Sequence, residues 1–109
     1  MEDASHSQRL ATHPMKRVTV VCEKHARGPV LELVAAVGAH GWTLWEVEGS
    51  GHQGMRTADI PEFTNIQVEV VVRPPVAERL LTRLRDELFP RYAMIAWETD
   101  VRVLRAGKF

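Results

Sequence analysis

Three glycines in six residues, Gly49-Ser50-Gly51-His52-Gln53-Gly54, form the segment of this chain best suited to chemistry. Glycine reaches backbone angles that side chains forbid. Successive N–H groups can then turn toward one point and hold a phosphate or a carboxylate. A plain hairpin turn would use the same residues. The segment fits neither the GxxxxGK[ST] loop nor the GxGxxG fingerprint, so neither of those phosphate-binding mechanisms applies. Cations that could join it are Arg56, Arg102, Arg105 and Lys108, and the arginine fork suits bidentate binding of an anion. Any one of them could be ordinary surface charge. Arg102 and Arg105 stand apart because they lie in or just after an apolar strand.

Other reactive side chains point less clearly to a site. The histidines at 6, 13, 25, 40 and 52 show no metal-ligand spacing with a cysteine or carboxylate. Cys22 ends an apolar stretch, where a buried small hydrophobe is expected rather than a nucleophile. Trp42, Trp45 and Trp97 suit a core or an interface. The segment Glu23-Lys24-His25-Ala26-Arg27-Gly28 offers Arg27 and His25 to an arginine cradle. That is the alternative reading, a small acyl-phosphate hydrolase on a ferredoxin-like domain, although the glycine spacing is poor for such a cradle.

These residues must be placed by one modest core. The chain has 109 residues, the length of a single domain. Its 14 basic and 14 acidic residues cancel, which argues against a nucleic-acid binder. One cysteine allows no internal disulfide, and the cytoplasm is the simplest compartment. No stretch is long and apolar enough to span a bilayer. Residues 1–14 carry no apolar periodicity and read as a disordered leader, with the folded domain at 15–109.

Within that domain, residues 16–22 (KRVTVVC) form a strand with valine on both faces. Val30, Leu33, Val34 and Val37 make a helical stripe that ends near Gly38 and Gly41. A second strand covers 42–48, and a third, 65–72, alternates Ile66, Val68, Val70 and Val72 with more polar neighbours. Pro74-Pro75 opens a second helix, with Val76, Leu80, Leu81, Leu84 and Leu88 on one face, and Pro90 ends it. Two strand candidates follow at 92–97 and 99–104. The order β-α-β-β-α-β defines an α+β, ferredoxin-like sandwich with a short extra C-terminal strand. Both helices cover one face of the sheet. The other face, carrying valine and tryptophan, predicts an oligomer.

A family resemblance rests on these same residues. Gly41-Trp42-Thr43-Leu44-Trp45-Glu46-Val47-Glu48-Gly49-Ser50-Gly51-His52-Gln53 resembles the G-x-T-x-x-E-V-x-G-x-G-x-Q pattern of PII signalling proteins. The likeness also takes in Met15-Lys16-Arg17-Val18, Glu69-Val70-Val71-Val72 and Arg105-Ala106-Gly107. It implies a trimer that binds adenine nucleotide in clefts between subunits. Thr43 would sit near adenine, with Val21 lining the cleft. Gly49, Ser50, Gly51 and His52 would present backbone amides to the phosphates. Gln53 would take the position that contacts a metal-bound phosphate in the family, and Arg105 would reach the phosphates from the last strand, with Arg102 beside it.

Departures from the family pattern narrow what the resemblance implies. The loop between Gly54 and Asn65 is shorter than the family's T-loop and holds no tyrosine for uridylylation. The glycine- and lysine-rich phosphate loop before the fourth strand is missing, leaving Arg91 to stand in for its lysine. ADP or AMP then fits better than ATP. The lysine that holds 2-oxoglutarate has no counterpart. The short loop and the 92–105 ending resemble the PII-like branch linked to inorganic carbon uptake and carboxysomes. That branch implies bicarbonate as a second ligand, held by Gly51, His52, Gly54 and Arg56. The resulting expectation is a non-enzymatic cytoplasmic sensor with no cofactor. Its loop, ordering on ligand binding, would signal to a bicarbonate transporter or a carboxysome-related protein.

Overall fold

The computed structural model describes residues 10–49 and 64–109. Strand β1 (His13–Glu23) leads through a 3-10 turn (Lys24–Ala26) into helix α1 (Arg27–Ala36). Strands β2 (Thr43–Val47) and β3 (Asn65–Val72) follow. Helix α2 (Pro74–Arg83) continues into a π-helical turn (Leu84–Leu88), then strand β4 (Met94–Val103) and a 3-10 turn (Ala106–Lys108). The sheet runs β2-β3-β1-β4 and every neighbouring pair is antiparallel. This is the split βαβ arrangement expected from the element order.

Alternation decides which residues enter the core. Val18, Val20 and Cys22 of β1 and Ile66, Val68, Val70 and Val72 of β3 point to the helical layer and are buried. There they meet Val30, Leu33, Val34 and Val37 from α1, and Ala77, Leu80, Leu84 and Leu88 from α2 and its π turn. Helix α1 stops where its sequence predicts. Gly38 has φ 92°, its N–H donates to Ala35 O, and the N–H of Ala39 donates to Val34 O. These two bonds are a Schellman cap, and the left-handed angle is what requires glycine there.

The structure corrects two boundaries. Strand β1 begins at His13 rather than Lys16, so His13 and Pro14 of the expected leader belong to the sheet. Their pairing partners are Val103 and Arg102 of β4. At Pro14 the strand has β4 as its one neighbour, since pairing with β3 starts at Lys16, and proline is tolerated at such an edge. The two strand candidates near the C-terminus are one continuous strand, so the extra C-terminal strand is the far half of β4. Glu98 and Asp100 do not interrupt it. Their carboxylates reach solvent along this edge strand, and Lys16 Nζ bonds Asp100 Oδ1 and lies 3.7 Å from Glu98 Oε2.

The Cys22 thiol is pushed up to about 11, mainly by burial and secondly by the neighbouring Glu23 carboxylate. It is expected to stay unlabelled by a thiol reagent at pH 8 in the native protein and to react fully once unfolded. Rapid native labelling would show that β1 is not packed as described. Linkage adds a pH window. The unfolded thiol ionises near 9 while the folded one keeps its proton to about 11. This group's contribution to stability is therefore present below pH 9 and declines as pH rises to 11.

Candidate functional site

Because β1 and β2 run the same way, with β3 and β4 opposed to them, the sheet has two distinct ends. At the first end β1 and β2 finish, β3 and β4 begin, and Val47, Asn65, Glu23 and Met94 come together. Three of the expected site residues belong to this end. Val21 is half-buried, paired with Gln67 on one side and Ile95 on the other. Gly49 is exposed just past β2, where an added Cβ would meet only Asn65 Nδ2, at 3.8 Å. Its backbone does not use the left-handed region, since Gly38 is the one residue with positive φ among those described. Gly49 therefore needs none of the conformational freedom that its glycine-rich setting suggested, a correction to the sequence reading. Arg91 is exposed, with its guanidinium 5.4 Å from the Tyr92 ring centre.

The residues that follow Arg91 are held by Glu23, which sequence reasoning did not single out, and by His25, which it offered for another role. Glu23 Oε2 accepts the Ala93 N–H at 2.7 Å, and the Glu23 N–H donates to Ala93 O. Glu23 Oε1 lies 3.1 Å from His25 Nε2, and the His25 ring meets Tyr92 edge-on, with centres 6.0 Å apart. The end of β1 thus fixes residues 92–93, just after Arg91. The signal available in the sequence was an acid closing an apolar strand with a histidine two residues on. Of the two residues offered for an arginine cradle at 23–28, His25 contacts Glu23 and Tyr92. Residues 24–26 form a 3-10 turn, Gly28 is inside α1, and Arg27 lies over Trp42 at 5.9 Å.

The second end holds the other two arginines. Arg102 is exposed opposite Pro14, and Arg105 is exposed just before the final 3-10 turn. Arg102 lies eight residues along β4 from Met94, roughly 26 Å at about 3.3 Å per residue. Thr43 is exposed between the two ends, opposite Glu69. One subunit therefore does not bring Arg102 and Arg105 to Val21, Gly49 and Arg91. Ser50, Gly51, His52, Gln53, Gly54 and Arg56 lie outside the described residues.

The sheet face away from the helices joins the two ends. It carries Trp45, Ile95 and Trp97, exposed by 40, 60 and 42%. Between them runs a polar strip. Glu69 Oε2 accepts from Gln67 Nε2 at 3.2 Å, and Thr19 Oγ1 lies 3.5 Å from the same oxygen. Arg17 and Thr99 are cross-strand partners on this face. Arg17 Nε and Thr99 Oγ1 are shielded from solvent with no hydrogen-bond partner inside the subunit. Orphaned polar atoms of this kind are rare in a finished fold. Among the described residues, no group of three or more His, Cys, Asp or Glu side chains could hold a metal ion. No described helix is long and apolar enough to cross a membrane.

Known proteins share both the sequence pattern and the fold. The model of the family "Nitrogen regulatory protein P-II" matches residues 15–108. A PII-like signalling protein of Thermus thermophilus has 39% identity over 92% of this chain and 99% of its own, with a TM-score of 0.78. CPII of Thiomonas intermedia, solved with ADP and bicarbonate, has 20% identity over 93% of this chain and 99% of its own, with a TM-score of 0.80. The same protein solved with ADP, AMP and acetate has 22% identity, covers 92% of this chain and 98% of its own, and has a TM-score of 0.79. No curated protein matches the chain.

Proposed function

The chain belongs to the P-II family, and on that premise we propose that it is a regulatory protein binding ADP or AMP, together with bicarbonate, between the subunits of a trimer. The observation that carries this reading is the division of its candidate ligands. Arg91, Val21 and Gly49 stand at one end of the sheet, Arg102 and Arg105 at the other. A neighbouring copy can supply to each cleft the end that the first copy lacks. The open face supports self-association, because burying Trp45, Ile95 and Trp97 removes apolar area from water. It also gives Arg17 and Thr99 the chance of partners across the interface.

CPII has been solved with ADP and bicarbonate and with ADP, AMP and acetate. Bicarbonate and acetate share a planar, three-atom anionic group, which backbone amides and one arginine fork can hold. In this chain Gly51, His52, Gly54 and Arg56 are the candidates for that anion, while Ser50 and Gln53 complete the nucleotide set with Thr43. Residues 51–64 then report occupancy, in a cytoplasmic setting, to a bicarbonate transporter or a carboxysome-related partner. Anion contacts that order a segment are an established kind of switch.

Calorimetric titration of ADP, AMP and ATP, with and without bicarbonate, tests the reading. ADP and AMP are expected to bind more tightly than ATP, and bicarbonate to raise the affinity of at least one of them. Absence of heat with every adenine nucleotide would overturn it. Arg105→Ala is expected to weaken ADP binding by roughly tenfold to a hundredfold, the scale of a lost hydrogen bond to a charged group. The trimer should survive that change.

A further inference from the structure

The segment carrying Arg105 is gripped by two side chains from elsewhere in the chain. Arg73, which precedes α2, donates from Nε to the main-chain oxygen of Phe109 and from Nη2 to that of Ala106, both at 2.9 Å. His40, in the connection from α1 to β2, places Nδ1 at 3.0 Å from the main-chain oxygen of Lys108. Three main-chain oxygens of residues 106–109 are thus taken by two exposed side chains, Arg73 and His40. Both donors sit on fixed supports. Arg73 O accepts the N–H groups of Val76 and Ala77 at the start of α2, and His40 follows the glycine cap of α1 by two residues.

Among the described residues Arg105 itself has no such anchor. It is exposed and extended at the point where β4 has ended and the 3-10 turn begins. Where its guanidinium reaches is therefore set by the strand behind it and the grip ahead of it. We infer that Arg73, assisted by His40, is a positioning residue for Arg105. It holds the 104–109 arm at the angle that delivers the Arg105 fork to the nucleotide of a neighbouring subunit. The planar fork of Arg73 spans two main-chain oxygens at once, which a lysine ammonium on a flexible stem does not reproduce. This inference rests on the nucleotide reading above.

A double-mutant cycle on the full-length protein, titrated with ADP, is the test. Arg73→Ala is expected to weaken ADP binding about tenfold, the scale of a lost charge-assisted hydrogen bond. Arg73→Lys should recover little of that loss. In an Arg105→Ala background, Arg73→Ala should cost nothing further, because it acts through a side chain already gone. His40→Gln, a milder break in the same grip, should give a smaller loss in the same direction. Hydrogen exchange of amides 104–109 should speed up in the Arg73 variants while exchange in β1 and β3 stays slow.

Full ADP affinity in Arg73→Ala with a loosened arm overturns the inference and leaves the nucleotide reading standing. So does an Arg73 penalty that persists undiminished in the Arg105→Ala background. If wild-type protein binds no adenine nucleotide, the function itself is wrong. The exchange data still report in that case whether Arg73 holds the arm. If Arg73→Ala fails to fold, Arg73→Lys and His40→Gln carry the same cycle.

Discussion

Trp97→Glu is expected to yield a folded monomer that no longer binds ADP. Trp97 stands on the open face, opposite Thr19 in β1, with Glu69 on the next strand over. A glutamate there removes a large apolar contact and adds a charge to a face that already carries a carboxylate. Burying an unpaired charge in a subunit interface costs several kcal/mol, far more than one lost contact. The helical core lies on the other side of the sheet, so circular dichroism should be close to wild type. Light scattering should report the mass of one chain, and calorimetry should show no ADP heat. Trp97→Phe should keep the assembly and the binding. A Trp97→Glu protein that remains trimeric and binds ADP normally would mean that this face does not join the subunits.

Leu80→Ala is expected to cost about 2–5 kcal/mol of stability, through lost transfer energy and the cavity left behind. Leu80 is 0% exposed, on the face of α2 turned to the sheet. Its neighbours Ala77 and Leu84 are equally buried, so a void there has little room to collapse. A loss of this size is a large share of the roughly 5–15 kcal/mol typical of a whole domain. Urea unfolding should show a lower midpoint with an unchanged slope. A cost below about 1 kcal/mol would mean that α2 is not seated on the sheet at this residue. The same change on the outer side, Glu78→Ala, should be nearly silent.

Local periodicity announced both helices and the third strand. Ile66, Val68, Val70 and Val72 alternate in the sequence and are the buried side of β3. Leu80, Leu84 and Leu88 recur at helical spacing and form one wall of the core, although the last turn widens to a π helix. Features that depend on a distant partner were not legible. His13 joins the sheet only because Val103 lies beside it, 90 residues further along the chain. Residues 92–104 looked divided because Glu98 and Asp100 are charged, and the lysine that pairs with them comes from the start of β1.

The candidate site followed the same division. Residue types identified Arg91, Arg102 and Arg105 as anion partners, but strand direction set the distance between them. Glycine content drew attention to the stretch from Gly49, whereas the described glycine that needs its special angle is Gly38, beneath the grip on the C-terminal arm. That grip was silent in the sequence. Arg73, His40 and the main-chain oxygens of Ala106, Lys108 and Phe109 carry no motif and meet only through the fold.

The ribosome makes strand β1 before both of its neighbours in the sheet, and one of them, β4, is the last of the described strands. Its second edge stays unpaired until residues 94–103 have emerged. Contacts that span most of a sequence also form slowly. Nascent chains stalled before residue 94 should therefore be the species most prone to clump in a cell and most in need of a chaperone.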